Sequence, residues 1–171
     1  MKTVKPERKN FQRCSECDGV QIPRSGPYRY AITRSWSVVL DNTTHWRCGS
    51  CGSEAVDVVA PTRLQCVIAS LVIRKKTRLV ADEIVFLRRL LDQSSQDMAR
   101  TLGVTRESVS RWETGKQPIG VVPERLLRVI AALWLPEGEF DFHELAGISE
   151  KDNGPLSIRL REKGGVWAIA A

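Results

Sequence analysis

No long apolar run exists in this chain. Its purely apolar stretches run to at most seven residues, and many are shorter, such as Val67-Ile68-Ala69 and Leu71-Val72-Ile73, interrupted by Ser70. A membrane-spanning helix needs about 20 such residues. The first residues, MKTVKPERKNFQR, are charged throughout and no apolar segment follows them. They read as neither a signal peptide nor an anchor, so a cytoplasmic location is expected. Histidine is scarce: His45 and His143 stand apart from any catalytic constellation, and no Gly-rich phosphate loop is present. These absences argue against an enzyme. There is no internal repeat and no low-complexity tract. What remains is ordinary for a globular protein. The 171 residues are 42% hydrophobic and 27% charged, enough for one medium domain or two small ones. The net charge of +6 favours an anionic partner, nucleic acid first. Basicity of this size also serves solubility alone.

Four of the five cysteines fall in two pairs, Cys14-Ser-Glu-Cys17 and Cys48-Gly-Ser-Cys51. A Cys-x2-Cys pair suits a knuckle turn that aims two thiolates at one metal. Two such pairs complete a tetrahedral shell and leave no position for water, so the expected ion is one structural zinc per chain rather than a catalytic one. Gly19, Gly49 and Gly52 supply backbone freedom beside the pairs. Between the pairs, Tyr28 to Thr33 and Ser35 to Leu40 alternate and are rich in β-formers, which predicts strands of a small sheet. A disulfide framework is disfavoured without an export signal. A redox Cys-x2-Cys would normally stand as a single pair at a helix N-terminus. Zinc would contribute on the order of 10 kcal/mol to a segment too small to fold on its own core. With four cysteines at hand, His45 is superfluous as a ligand. Cys66 lies in LQCVIASLVI and reads as a buried small hydrophobe.

The run from Ser94 to Gly115, SSQDMARTLGVTRESVSRWETG, predicts two short helices joined by a tight turn. Ser94 caps the first, with Asp97 completing a box-like signal. Met98, Ala99 and Leu102 face inward, and the small Ala99 lets a second helix cross closely. Gly103 tolerates the left-handed backbone that ends a helix. Thr105 caps the second helix, which rests on Val109 and Trp112. Arg106, Glu107, Ser110, Arg111 and Thr114 are left on its outer face, groups suited to base edges. A plain helical pair with a solvated charged face has the same spacing. Residues 102–105 (LGVT) and 109–113 (VSRWE), with Gly115 and Pro118, resemble the Xre (Cro-type) repressor family over about residues 80–135. That resemblance implies base contacts from Arg106, Glu107 and Arg111, and phosphate contacts from Thr105, Ser110 and Lys116. The family often has Gln at the first turn of the earlier helix. This chain has Ser95 there, a possible hydroxyl donor, with Gln96 next.

The expected fold class is α+β: a β-rich four-cysteine zinc module (1–60), a linking helix (61–80), an all-α helix-turn-helix domain (81–135), then an acidic segment and short C-terminal β-hairpin (136–171). The linking helix ends in Arg74, Lys75 and Lys76, which either lie against DNA backbone or form a solvated end favoured by the helix dipole. In the second domain, Ile84, Leu87, Leu90 and Leu91 face inward. A closing helix, Pro123 to Leu135, is apolar almost all round. A dimer contact or burial by the C-terminal tail would explain it equally well. His143 reads as a surface residue. Taken in order, CSEC, a β-rich stretch, CGSCG, a linking helix and the repressor motif are similar to the MqsA antitoxin family with its YgiT-type zinc finger. The resemblance implies a homodimer. Its zinc module would bind a ribonuclease toxin, and its repressor half would bind a palindrome in its own operon's promoter. The segment after Leu135 and the basic arm before Cys14 extend beyond that pattern. The alternative is an adaptor that joins a zinc ribbon to this helix pair, or a plain regulator with no toxin.

Overall fold

The computed structural model describes residues 12–136, 140–149, 151 and 153–170. The basic arm before Gln12, and Glu137, Glu139, Glu150 and Asp152 of the acidic segment, lie outside the described residues. The protein mixes one β-sheet with several helices. The strands are β1 (Gln12–Arg13), β2 (Val20–Ala31), β3 (Ser37–Cys48), β4 (Glu54–Val56), β5 (Arg159–Lys163) and β6 (Val166–Ile169). The helices are α1 (Pro61–Ile73), α2 (Ala81–Leu90), α3 (Ser95–Leu102), α4 (Arg106–Glu113) and α5 (Val121–Trp134), with a 3-10 turn at Phe142–Gly147.

Strands β2 and β3 form a long antiparallel pair, from Ala31 opposite Ser37 at its base to Gln21 opposite Cys48 at its tip. The register shifts between Gly26 and Tyr28, where an irregularity bends the ribbon. The far edge of β3 is shared. Strand β4 pairs antiparallel with its tip, Trp46 opposite Ala55. Strand β5 pairs parallel with its base, Leu40 opposite Leu160. A parallel neighbour requires a long crossover. Here every α-helix lies between the two strands, so the end of the chain returns to the sheet from which the first half began. Strand β6 then pairs antiparallel with β5.

The core sits at the base of the sheet. Trp36, Val38, Leu40, Leu160 and Trp167 meet Leu64, Ile68, Ala69 and Val72 of α1, all at most 5% exposed. The same apolar cluster continues through Ile84, Phe86 and Leu87 of α2 to Met98, Val109, Trp112, Leu127 and Ala131. Trp36 meets Phe86 edge-on, with ring centroids 5.6 Å apart. Helix α1 therefore links the sheet to the later helices and is itself a core element. Leu90 and Leu91 are only partly buried, while Ile84 and Leu87 are fully so.

The turn between α1 and α2 is held by buried ions. Lys75 Nζ lies 2.8 Å from Glu83, whose carboxylate also accepts the amides of Val80 (3.0 Å) and Leu156 (2.9 Å). Arg128, fully buried on α5, donates to the carbonyls of Ile73, Lys75 and Thr77 and to Glu124 (2.8 Å). Glu124 also accepts from Arg78 and from the Leu79 amide. Burying such charges costs several kcal/mol each, and multiple hydrogen bonds are what offset it. At the basic end of α1, Lys75 is therefore neither solvated nor open to a DNA backbone, while Lys76 stays exposed. Lys75 is only 7% exposed, Lys76 pairs with Glu144 at 2.6 Å, and the Arg74 guanidinium lies 6.0 Å from the Phe140 ring centre. The acids that hold these cations come from α2 and the C-terminal segment, remote in sequence.

Candidate metal centre and candidate nucleic-acid interface

At the tip of the sheet, two tight loops bring Cys14, Cys17, Cys48 and Cys51 together. In the first, the Asp18 amide donates to the Cys14 carbonyl (2.9 Å) and Asp18 takes a left-handed backbone, φ 58°. In the second, the Gly52 amide donates to the Cys48 carbonyl (3.1 Å), with Gly52 at φ 75°. The loops also lock across: the Gly49 amide donates to the Val20 carbonyl at 3.1 Å. All four sulfurs lie within 4.8 Å of one another. Cys14 and Cys51 are 3.7 Å apart and Cys17 and Cys48 3.5 Å. A tetrahedral site with metal–sulfur bonds near 2.3 Å has sulfur–sulfur edges of about 3.8 Å, so the donor set fits one thiophilic ion.

The surroundings favour thiolates. The amides of Glu16 and Ser50 each donate to a sulfur at 3.4 Å, on Cys14 and Cys48 respectively. Ser53 Oγ lies 3.0 Å from Cys14 and 3.2 Å from Cys51. The Ser53 hydroxyl holds the thiols of Cys14 and Cys51 below the ordinary value, and backbone amides do the same for Cys48. At Cys17 the Gly19 amide acts in the same direction, but the neighbouring sulfurs of Cys51 and Cys48 outweigh it and the thiol is pushed up to about 12. Four sulfurs this close share too little positive charge, which is what a bound dication supplies. His45 is outside the cluster and stacks on Tyr28, 5.2 Å between ring centres. Cys66 is half-buried, and burial pushes its thiol up.

At the other end of the fold, Ser94 Oγ accepts the Asp97 amide at 3.1 Å while Asp97 accepts the Ser94 amide at 3.3 Å. The Ser94 hydroxyl, and then its amide, hold the Asp97 carboxyl below its ordinary value. Gly103 ends α3 at φ 66°, and the next amide, of Val104, reaches back to the Ala99 carbonyl at 2.9 Å. Thr105 Oγ1 accepts the Ser108 amide at 3.2 Å and starts α4. Val109 and Trp112 are buried beneath α4. Arg106, Glu107, Ser110 and Arg111 are exposed along its length, with Thr114 and Lys116 exposed just beyond. Arg106, Glu107, Arg111 and Lys116 make no side-chain hydrogen bond or ion pair among the described residues. Thr114 Oγ1 is committed to its own helix, donating to the Ser110 carbonyl at 2.7 Å.

Ser95 differs from the other outward-facing candidates. It is half-buried, and its hydroxyl donates to Glu113 Oε2 at 3.4 Å. Glu113 in turn binds Arg88 of α2 at 2.5 and 3.2 Å, and Arg88 donates to the Gln93 carbonyl at 2.8 Å. This clamp fixes the end of α4 to α2 and to the start of α3. The sequence reading missed it, because Arg88 and Glu113 are separated by a whole helix and no local spacing joins them.

No protein-family model matches the chain, and no curated protein matches it at a significant level. Among the described residues, no helix is long and apolar enough to cross a membrane.

Proposed function

We propose that this protein is a sequence-specific DNA-binding repressor, stabilised by one zinc ion in the Cys14, Cys17, Cys48, Cys51 cluster, with α4 entering the major groove. The observation that carries this reading is the division of α4. Val109 and Trp112 are buried on one side, and Arg106, Glu107, Ser110 and Arg111 are exposed and uncommitted to neighbouring side chains on the other. A solvated helix has no need of a clamp such as Arg88–Glu113, whereas a helix that reads bases must be held in one orientation. Arg106 and Arg111 are the base readers with Glu107, since Arg makes the bidentate contact to guanine and Glu accepts from cytosine. Thr105, Ser110 and Lys116 stand at the rim, where phosphates run. Ser95 would first have to exchange Glu113 for a phosphate oxygen.

The order of parts supports a finer version. The protein acts as the antitoxin of a toxin–antitoxin pair: a homodimer that binds a palindromic operator in its own promoter and holds a ribonuclease toxin through the zinc module. Its two recognition helices meet half-sites about 34 Å apart. The test is selection of binding sites from random duplex DNA by the full-length, metal-loaded protein, followed by a salt titration. The expected result is a palindrome that recurs upstream of its own gene, with affinity falling steeply as salt rises. Recovery of no consensus removes the repressor reading. A consensus with no ribonuclease encoded alongside removes the antitoxin and leaves a plain regulator.

A further inference from the structure

We infer that the crevice where β2, α1, α2 and the end of α5 converge is a binding site for a small aromatic carboxylate. The crevice opens a space of about 310 Å³, at the small end of ligand sites. Its walls follow from local spacing. Phe86, Arg89 and Leu90 stand three and four residues apart on α2 and so share one side of that helix. Tyr30 borders the space from the end of β2, and Trp134 from the last turn of α5. Phe86 is 7% exposed and is held edge-on by Trp36 of the core, so it forms a fixed floor. Trp134 leaves 43% of its surface open. Three rings thus line one space, and rings take a further flat ring by offset or edge-on contact. A space of this size holds one or two fused rings and excludes a long acyl chain.

The polar groups at the rim set the charge of what fits. Arg89 is exposed and makes no hydrogen bond or ion pair among the described residues. Its neighbour Arg88 is the opposite case, committed to Glu113 and to the Gln93 carbonyl. Thr62 and Gln65, near the start of α1, bring a hydroxyl and an amide to the same rim, and neither side chain has a partner among the described residues. None of the described residues that line the crevice is acidic. Asp82, two turns before Arg89 on α2, is already held by the hydroxyls of Thr33 and Ser35. A cation with two neutral donors and no counter-charge complements an anion. A planar guanidinium meets a carboxylate through two parallel hydrogen bonds, which selects that head group. A bound ligand would touch the sheet through Tyr30 and the later helices through Phe86, and so tie the two halves of the fold at a point other than α1. Nothing in this site involves α4 or DNA, so it stands whether or not the protein is a repressor.

The test is isothermal titration calorimetry of the full-length, metal-loaded protein with two probes. Naphthoate carries the rings and the charge; naphthylmethanol keeps the rings and lacks the charge. Wild type should bind naphthoate with a dissociation constant on the order of 100 µM, as expected for about a dozen non-hydrogen atoms in such a site. It should bind the alcohol roughly tenfold more weakly, the worth of a hydrogen bond to a charged group. Arg89→Gln should erase that difference by weakening naphthoate alone, which a merely structural role would not do. Trp134→Ala should weaken both probes alike. Both side chains are open to solvent, so the far-ultraviolet circular dichroism of each variant should match wild type. Equal affinity of wild type for the two probes overturns the anion site. Naphthoate binding that neither substitution changes puts the ligand elsewhere and overturns the crevice. No binding at millimolar naphthoate, by calorimetry and by saturation-transfer magnetic resonance alike, overturns the site altogether. Sedimentation equilibrium with and without the probe tests for another occupant: naphthoate that binds only by dissociating an oligomer would mean that a second copy of the chain fills the crevice, and overturns the small ligand.

Discussion

Removal of the metal should melt the tip of the sheet and spare its base. At the tip, residues 12–25 and 43–56, strands and loops together, contribute only four buried residues: Cys14, Gln21, Thr43 and Cys48. None is a large apolar side chain, so hydrogen bonds and whatever ion the four sulfurs bind are left to hold the two loops together. A structural zinc site contributes roughly 10–16 kcal/mol near pH 7. If even half of the lower figure acts on local opening, exchange of tip amides should accelerate by more than about a thousandfold, at about 1.4 kcal/mol per tenfold. The base is different, because Trp36, Val38 and Leu40 pack into the shared core. Hydrogen exchange read by mass spectrometry, with and without a strong chelator, tests this directly. Amides of residues 12–26 and 43–56 should lose protection, while those of 84–112 keep it. The reasoning is refuted if tip and base respond alike, or if the tip keeps full protection after the metal has demonstrably left. Acid should act in the same sense as the chelator. Cys17, whose thiol is pushed up to about 12 by its neighbouring sulfurs, must lose its proton to bind, so metal affinity falls as pH falls.

Three further outcomes follow from the same geometry. A methyl group added at Gly19 would stand 2.7 Å from Ser50 Oγ and 3.0 Å from Cys48 Sγ; Gly19→Ala should therefore weaken metal affinity, measured by competition with a chromogenic chelator, and unchanged affinity would contradict the packing. Glu113→Gln should cost roughly 2–3 kcal/mol in urea unfolding, below the full penalty of a broken buried pair because both partners keep some exposure, and Arg88→Met with Glu113→Leu should recover much of it. The Asp97 carboxyl should titrate below its ordinary value of 3.8, so the stabilisation from the Ser94–Asp97 box is fully present above 3.8 and is lost as pH falls through the lowered value; a nuclear magnetic resonance titration midpoint at or above 3.8 would contradict the box.

The features legible in the sequence are those set by local chemistry. The caps at Ser94 and Thr105, the left-handed Gly103, the buried Val109 and Trp112 and the four-cysteine cluster each depend on residues a few positions apart or on a strict pairwise spacing. Features set by long-range contact were not legible. The parallel match of Leu40 with Leu160 joins strands more than a hundred residues apart, and β5 carries no mark of its partner. Glu124 and Arg128, four apart on α5, have the spacing of an ordinary surface ion pair, and nothing in that spacing marks them for the interior. They are buried because the carbonyls of Ile73, Lys75 and Thr77 converge on the guanidinium. Lys75 at the end of α1 is buried for the same reason: its acid partner, Glu83, comes from the next helix. Ser95 opens α3, as its neighbours in sequence imply, but its tie to Glu113 depends on how α3 and α4 cross.

The central claim is that α4 reads DNA through Arg106 and Arg111. Fluorescence anisotropy on the selected palindrome, comparing wild type with Arg106→Ala plus Arg111→Ala and with Lys116→Ala, tests it most directly. Each lost base contact should cost about 1–3 kcal/mol, so the double variant should lose roughly 30-fold or more in affinity together with its preference over scrambled DNA. Lys116→Ala should weaken both sequences alike and reduce the salt slope by about one. A double variant that keeps wild-type affinity and preference contradicts the account.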